Sequence, residues 1–178
     1  MTLFTTIYDK FLLLITDDIY LQDDDNEMPG VNVWTYEDTL NEMQSFLINA
    51  IPLFEFPRIN LDDYTLNDII VENDEVDDTS FFHADLSTDE QNILANLMVS
   101  LWLGRQINSI ENIKAKYSSS DFKMTSQATL LNQLLKLEQN HSVKTKRLQR
   151  LYKRREKDDE GIYRSTWGEL FSGSTFDN

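Results

Sequence analysis

The residues able to do chemistry are few in kind. His83 and His141 are the only imidazoles, and cysteine is absent. Without thiols there is no disulfide framework, no thiolate nucleophile and no Cys-ligated metal, a usage that fits a reducing cytoplasm. Neither histidine has a second histidine at metal-ligand spacing. No nucleophile elbow, glycine-rich phosphate loop or recognisable triad context is present. The 31 Asp and Glu residues offer many carboxylate pairs, but no spacing singles one out as an acid–base site. The run Asp23-Asp24-Asp25-Asn26-Glu27 starts like a calcium loop and then fails. An EF-hand needs Gly at its sixth position and Glu at its twelfth, where this chain has Met28 and Trp34. That run and Asp74-Glu75-Val76-Asp77-Asp78 are expected to be solvated loop acids. The expectation is a non-enzymatic protein with no cofactor and no metal.

Two features point instead to partners. Lys144, Lys146, Arg147, Arg150, Lys153, Arg154 and Arg155 form a basic stretch. On a helix, Lys146, Arg150 and Lys153/Arg154 share one side, with Arg147 beside them. Three readings stay open: a solvated helix end suited to the C-terminal dipole, a dock for an acidic protein surface, or a nucleic-acid contact. Beyond it, Tyr163, Trp167 and Phe171 recur at four-residue spacing in what would be a tail. Large aromatics there need cover, either from the chain's own core or from a partner. The candidate partner-binding residues are therefore Lys146, Arg147, Arg150, Lys153, Arg154, Tyr163, Trp167 and Phe171.

Charge divides the chain. Residues 1–90 hold 22 acids against Lys10 and Arg58, while residues 91–178 hold 14 cations against 9 acids, for an overall net charge of −15. Such an acidic half repels nucleic acid. It serves solubility, or it meets the basic half of a neighbouring copy.

The elements that must position these residues are mostly helical, because 5 Gly and 3 Pro in 178 residues are too few turns for an all-β fold. A first helix is expected over 3–20, on Phe4, Ile7, Tyr8, Phe11, Leu12, Ile15 and Ile19. Leu13 and Leu14 widen its apolar face and suggest burial on two sides. A second covers 36–51, with Thr35 and Asp38 as a loose capping box, and is stopped by Pro52 and Pro57. Residues 53–86 read as one or two short strands around an acidic loop: Phe54-Glu55-Phe56 and Arg58-Ile59-Asn60-Leu61 alternate, Ile69-Ile70-Val71 and Ser80-Phe81-Phe82-His83 favour strands, and 72–78 reads as a mobile loop. A third helix opens on the capping box Ser87-Thr88-Asp89-Glu90 and runs to about 116, with Gly104 a weak point inside it. A fourth runs from Thr125 or Ser126 to about 155. Its polar middle, Gln139 to Lys146, leaves the core or breaks at Asn140. The expected fold is a bundle of about four helices over 1–157, with a strand/loop insert near 53–86 and an extended C-terminal arm over 158–178. The apolar run Phe11–Ile15 is too short to span a membrane, and it lacks a signal peptide's basic start.

The order of features resembles the head–tail connector, or neck, proteins of tailed bacteriophages, especially the adaptor type beneath the portal. The residues that carry the likeness are Tyr8-Asp9-Lys10-Phe11, the stretch from Asn49 to Arg58, and Leu86-Ser87-Thr88-Asp89-Glu90 leading to Leu101-Trp102. Asp121 to Ala128 and the helix ending Leu151-Tyr152-Lys153-Arg154-Arg155 complete it. The resemblance implies a structural virion protein that assembles into a ring of about twelve copies. It also implies contact with the portal protein and other neck or tail proteins, and a channel for DNA without sequence-specific binding. A stopper, tail-completion or tail-assembly role, or a non-viral acidic binding module, are the alternatives.

Overall fold

The structure is a computed structural model and describes residues 1–15, 36–67, 69–72, 75–116, 125–157 and 163–165. Among these the chain is mostly helical. Its helices are α1 (Thr5–Ile15), α2 (Tyr36–Ala50), α3 (Thr88–Lys116) and α4 (Thr125–Arg154). Strands β1 (Thr2–Leu3), β2 (Tyr64–Thr65) and β5 (Phe81–Phe82) make a small antiparallel sheet in the order β1-β5-β2. Two hairpins add β3 (Ile70–Glu72) with β4 (Glu75–Asp77), and β6 (Arg155–Lys157) with β7 (Tyr163–Ser165).

α3 is the axis, and α1, α2 and α4 all pack on it. Ile93 to Val99 are buried without interruption, Asn96 included. A helix buried on every side needs no polar stripe, so α3 reads as apolar all round rather than amphipathic in this stretch. Its start is the expected capping box. The Ser87 N–H donates to Glu90 Oε2 at 2.7 Å, and the Glu90 N–H points at Ser87 Oγ at 3.4 Å.

α1 contributes Ile7, Tyr8 and Phe11 to the core, with Phe4 just ahead of it. The expectation that Leu13 and Leu14 would be buried on a second side is corrected: they are 78% and 41% exposed, because α1 lies on the outside of the bundle and packs one face. The helix begins at Thr5, since Thr2 and Leu3 pair with Phe82 and Phe81 as a strand; expected positions 16–20 lie outside the described residues. α2 buries Leu40, Met43, Leu47 and Ala50, and a 3-10 turn, Ile51–Leu53, carries Pro52 past its end.

The insert is more ordered than its charge suggests. The strands expected at Ile69-Ile70-Val71 and Phe81-Phe82 are present, but Phe54 to Arg58 form bends, not a strand. The mobile loop expected over 72–78 is also corrected: Glu75–Asp77 pair with Ile70–Glu72, and Asp78 is buried at 1% exposure. The physical reason is hydrogen bonding. Asp78 accepts from the Tyr8 hydroxyl at 2.7 Å and from the Ser80 N–H at 2.9 Å, which replaces the water a buried carboxylate loses. Ser80 Oγ in turn accepts from Gln44 Nε2 at 3.1 Å and from the Asn67 N–H at 3.0 Å, tying the insert to α2.

α4 is unbroken at Asn140, and its polar middle does not leave the core. Thr145 and Gln149 are buried, and His141 is half-buried with Nδ1 3.1 Å from Ser100 Oγ of α3. Beyond α4, β7 pairs antiparallel with β6, and the rest of the expected arm lies outside the described residues.

Candidate partner-docking surface

α4 sets the functional side chains by having two unlike faces. Leu134, Glu138, His141, Thr145, Leu148 and Tyr152 follow alternating spacings of four and three, the seam a helix lays against a neighbour. All six are buried or half-buried. Val143, Arg147, Arg150 and Arg154 fall at i, i+4, i+7 and i+11 on the opposite side, and all four are exposed. Lys146 and Lys153 flank that ridge and are exposed too. The five cations singled out from sequence therefore share one outward surface.

The C-terminal end of this ridge is fastened by polar contacts from the seam. Gln149 Oε1 accepts the Glu55 N–H at 2.7 Å, and its amide reaches the Leu53 carbonyl at 3.4 Å. The buried Tyr152 hydroxyl donates to Glu90, the same carboxylate that completes the α3 cap. Burial, and then the Glu90 hydrogen bond, raise the Tyr152 phenol above its ordinary range, against a smaller opposing effect of Arg58. Arg58 donates to the Tyr152 carbonyl at 2.9 Å and lies 4.5 Å over its ring. Arg155 reaches Asp89 at 3.4 Å.

These fastenings bring the bend after α2 against α4 and form a groove of about 510 Å³ lined by Glu55, Phe56, Arg150, Lys153 and Arg154. Lys153 Nζ sits 4.0 Å over the Phe56 ring. Glu55 and Phe56 are not among the docking residues expected from sequence, which reads Phe54-Glu55-Phe56 as strand-like alternation; Pro52 and Pro57 bracketing two phenylalanines mark a bend instead. Lys146 and Arg147 lie on the ridge and do not line the groove. Tyr163 is in β7, opposite Lys157, while Trp167 and Phe171 lie outside the described residues.

Neither histidine lines the groove. His83 Nε2 is 3.0 Å from Thr65 Oγ1 and 3.9 Å from Asp63 Oδ1. Both partners face the same ring nitrogen, whereas a relay needs the acid on the opposite one. Burial, then the nearby Lys144 charge, lowers the pKa of His141. Among the described residues no three His, Asp or Glu side chains gather as metal ligands, and no helix is long and apolar enough to cross a membrane. No family model matches the chain, and neither the curated proteins nor the solved structures give a match.

Proposed function

We propose that this chain is a structural subunit of a phage head–tail connector, an adaptor-like ring component that joins portal to tail and docks through the basic ridge of α4. The observation that carries the docking part is the exposed row Arg147, Arg150 and Arg154, continued into the Phe56 groove, on a molecule of net charge −15. Cations concentrated on one surface of so acidic a chain favour contact between unlike surfaces, as a ring of heterologous interfaces requires. The connector part rests on the resemblance in sequence order. An acidic ring suits a DNA passage, because like charge keeps the duplex from adhering. In this reading the tail aromatics Tyr163, Trp167 and Phe171 add a second contact, to the portal or to a neighbouring copy.

Light scattering over a concentration series, with and without the candidate portal protein, tests the reading. A mass that grows with concentration or with portal is expected. A strict monomer under both conditions would contradict it.

A further inference from the structure

We infer that the groove between Phe56 and the end of α4 is a specific seat for an acidic peptide segment of a partner protein, and not for a nucleic-acid strand. The inference names the partner chemistry of the docking surface proposed above and rests on that part of the reading.

The groove wall supplies Arg150, Lys153 and Arg154 within one and a half turns of helix, and the opposite wall supplies Glu55 and Phe56. Three cations select an anion. The remaining features decide which anion. Glu55 is exposed and lines the groove, so a ligand seated there lies beside a negative charge. A peptide can meet that charge, because main-chain N–H donors lie beside its own carboxylates. A phosphodiester backbone carries no donor and is repelled there.

Phe56 gives a second discrimination. Strands without base pairing are held by stacking bases on open aromatic faces. One face of the Phe56 ring is covered by Lys153 Nζ at 4.0 Å, so on that side the ring buttresses a cation instead of offering a platform.

Reach gives a third. Screening confines electrostatics to about 8 Å at physiological salt. A short acidic segment fits inside the field of the three cations. A nucleic-acid strand runs on past the groove, over a molecule whose net charge is −15. The groove is also held in shape without a ligand, since Gln149 fixes the Glu55 main chain at 2.7 Å and Arg58 fixes the Tyr152 carbonyl at 2.9 Å. Preorganisation of this kind lowers the cost of binding.

The test titrates the full chain with hexaglutamate and, separately, with a thymidine hexanucleotide, following backbone amide shifts by NMR. Saturable shifts centred on residues 55–56 and 150–154 are expected with hexaglutamate, with affinity at least about tenfold above that for the oligonucleotide. Arg150→Glu with Lys153→Glu should abolish the peptide shifts, while Arg150→Lys with Lys153→Arg should retain them. Arg150→Gln alone, at an exposed position, should weaken binding several-fold should the double reversal unfold the chain. Equal or tighter oligonucleotide binding, shifts mapping elsewhere, or peptide binding indifferent to these changes overturns the inference. A chain found in particles whose groove ignores the peptide sinks the seat alone. A chain that binds the peptide but is absent from particles sinks the connector reading alone.

Discussion

The Tyr152 hydroxyl, in the last turn of α4, donates to the Glu90 carboxylate in the first turn of α3. The same carboxylate accepts from the Ser87 N–H and hydroxyl, each at 2.7 Å. One side chain thus caps α3 and fixes the end of α4 that carries the cations. Tyr152→Phe removes a buried hydrogen bond to a charged group and should lower stability by about 1.5–3 kcal/mol. Glu90→Ala should cost more, because the cap is lost as well. In urea denaturation a double-mutant cycle should show coupling between the two sites; additive losses would show that the contact is not energetically shared.

Gln149 joins α4 to the groove's other wall. Gln149→Ala leaves the Glu55 N–H and the Leu53 carbonyl without this partner and should destabilise by about 1–3 kcal/mol. Gln149→Glu keeps an acceptor for the Glu55 N–H but places a charge at a buried position facing the Leu53 carbonyl, and should cost at least as much as Gln149→Ala. Chemical denaturation midpoints at constant slope are the readout.

Gly104 lies within α3, and an added Cβ there would meet nothing within 4 Å. Gly104→Ala should therefore raise stability by about 0.5–1 kcal/mol through helix propensity and a less free unfolded chain. A rise in melting temperature is expected. A fall would mean that this helix position carries a constraint its open surroundings do not explain.

Two pH dependences follow from burial. The folded His141 has a lowered pKa, so between that value and about 6.5 the unfolded chain binds more protons. Stability should be highest above about pH 6.5 and should fall as pH drops through the folded value. His141→Gln should flatten that slope in denaturation measured from pH 7.5 to 5. At the other end, Tyr8 and Tyr152 are both pushed above their ordinary pKa by burial first and then by a carboxylate partner. Their contribution is present below about pH 10 and is lost as pH rises beyond it, because the unfolded phenols ionise first. Tyr8→Phe should weaken the alkaline loss, at the cost of its 2.7 Å bond to Asp78.

The sequence made α3 legible because its start is written in adjacent residues: Ser87 and Glu90 satisfy one another and need no distant partner. The end of α2 was legible for the same local reason, at Pro52. The exposure of Lys146, Arg147, Arg150, Lys153 and Arg154 was legible from charge and spacing together. The seam of α4 was not. Its inward positions include His141, Thr145 and Gln149, whereas Leu137 and Val143 are more than half exposed. Apolarity therefore marks the inward face only at Leu134, Leu148 and Tyr152, and the four–three spacing is needed to carry it through the polar middle. The burial of Asp78 was hidden for another reason. Its partner Tyr8 stands 70 residues away, and no local pattern announces a contact of that kind. The groove was half visible, because its cations lie on one helix while Glu55 and Phe56 arrive from a bend almost a hundred residues earlier.

The proposed connector role requires that this chain be built into a particle through the basic end of α4. Cross-linking mass spectrometry of purified tailed particles is the decisive measurement. The chain is expected among the particle proteins, with cross-links from Lys146 and Lys153 to acidic segments of a portal, tail or neighbouring subunit. A chain abundant in the infected-cell lysate but missing from finished particles would contradict it.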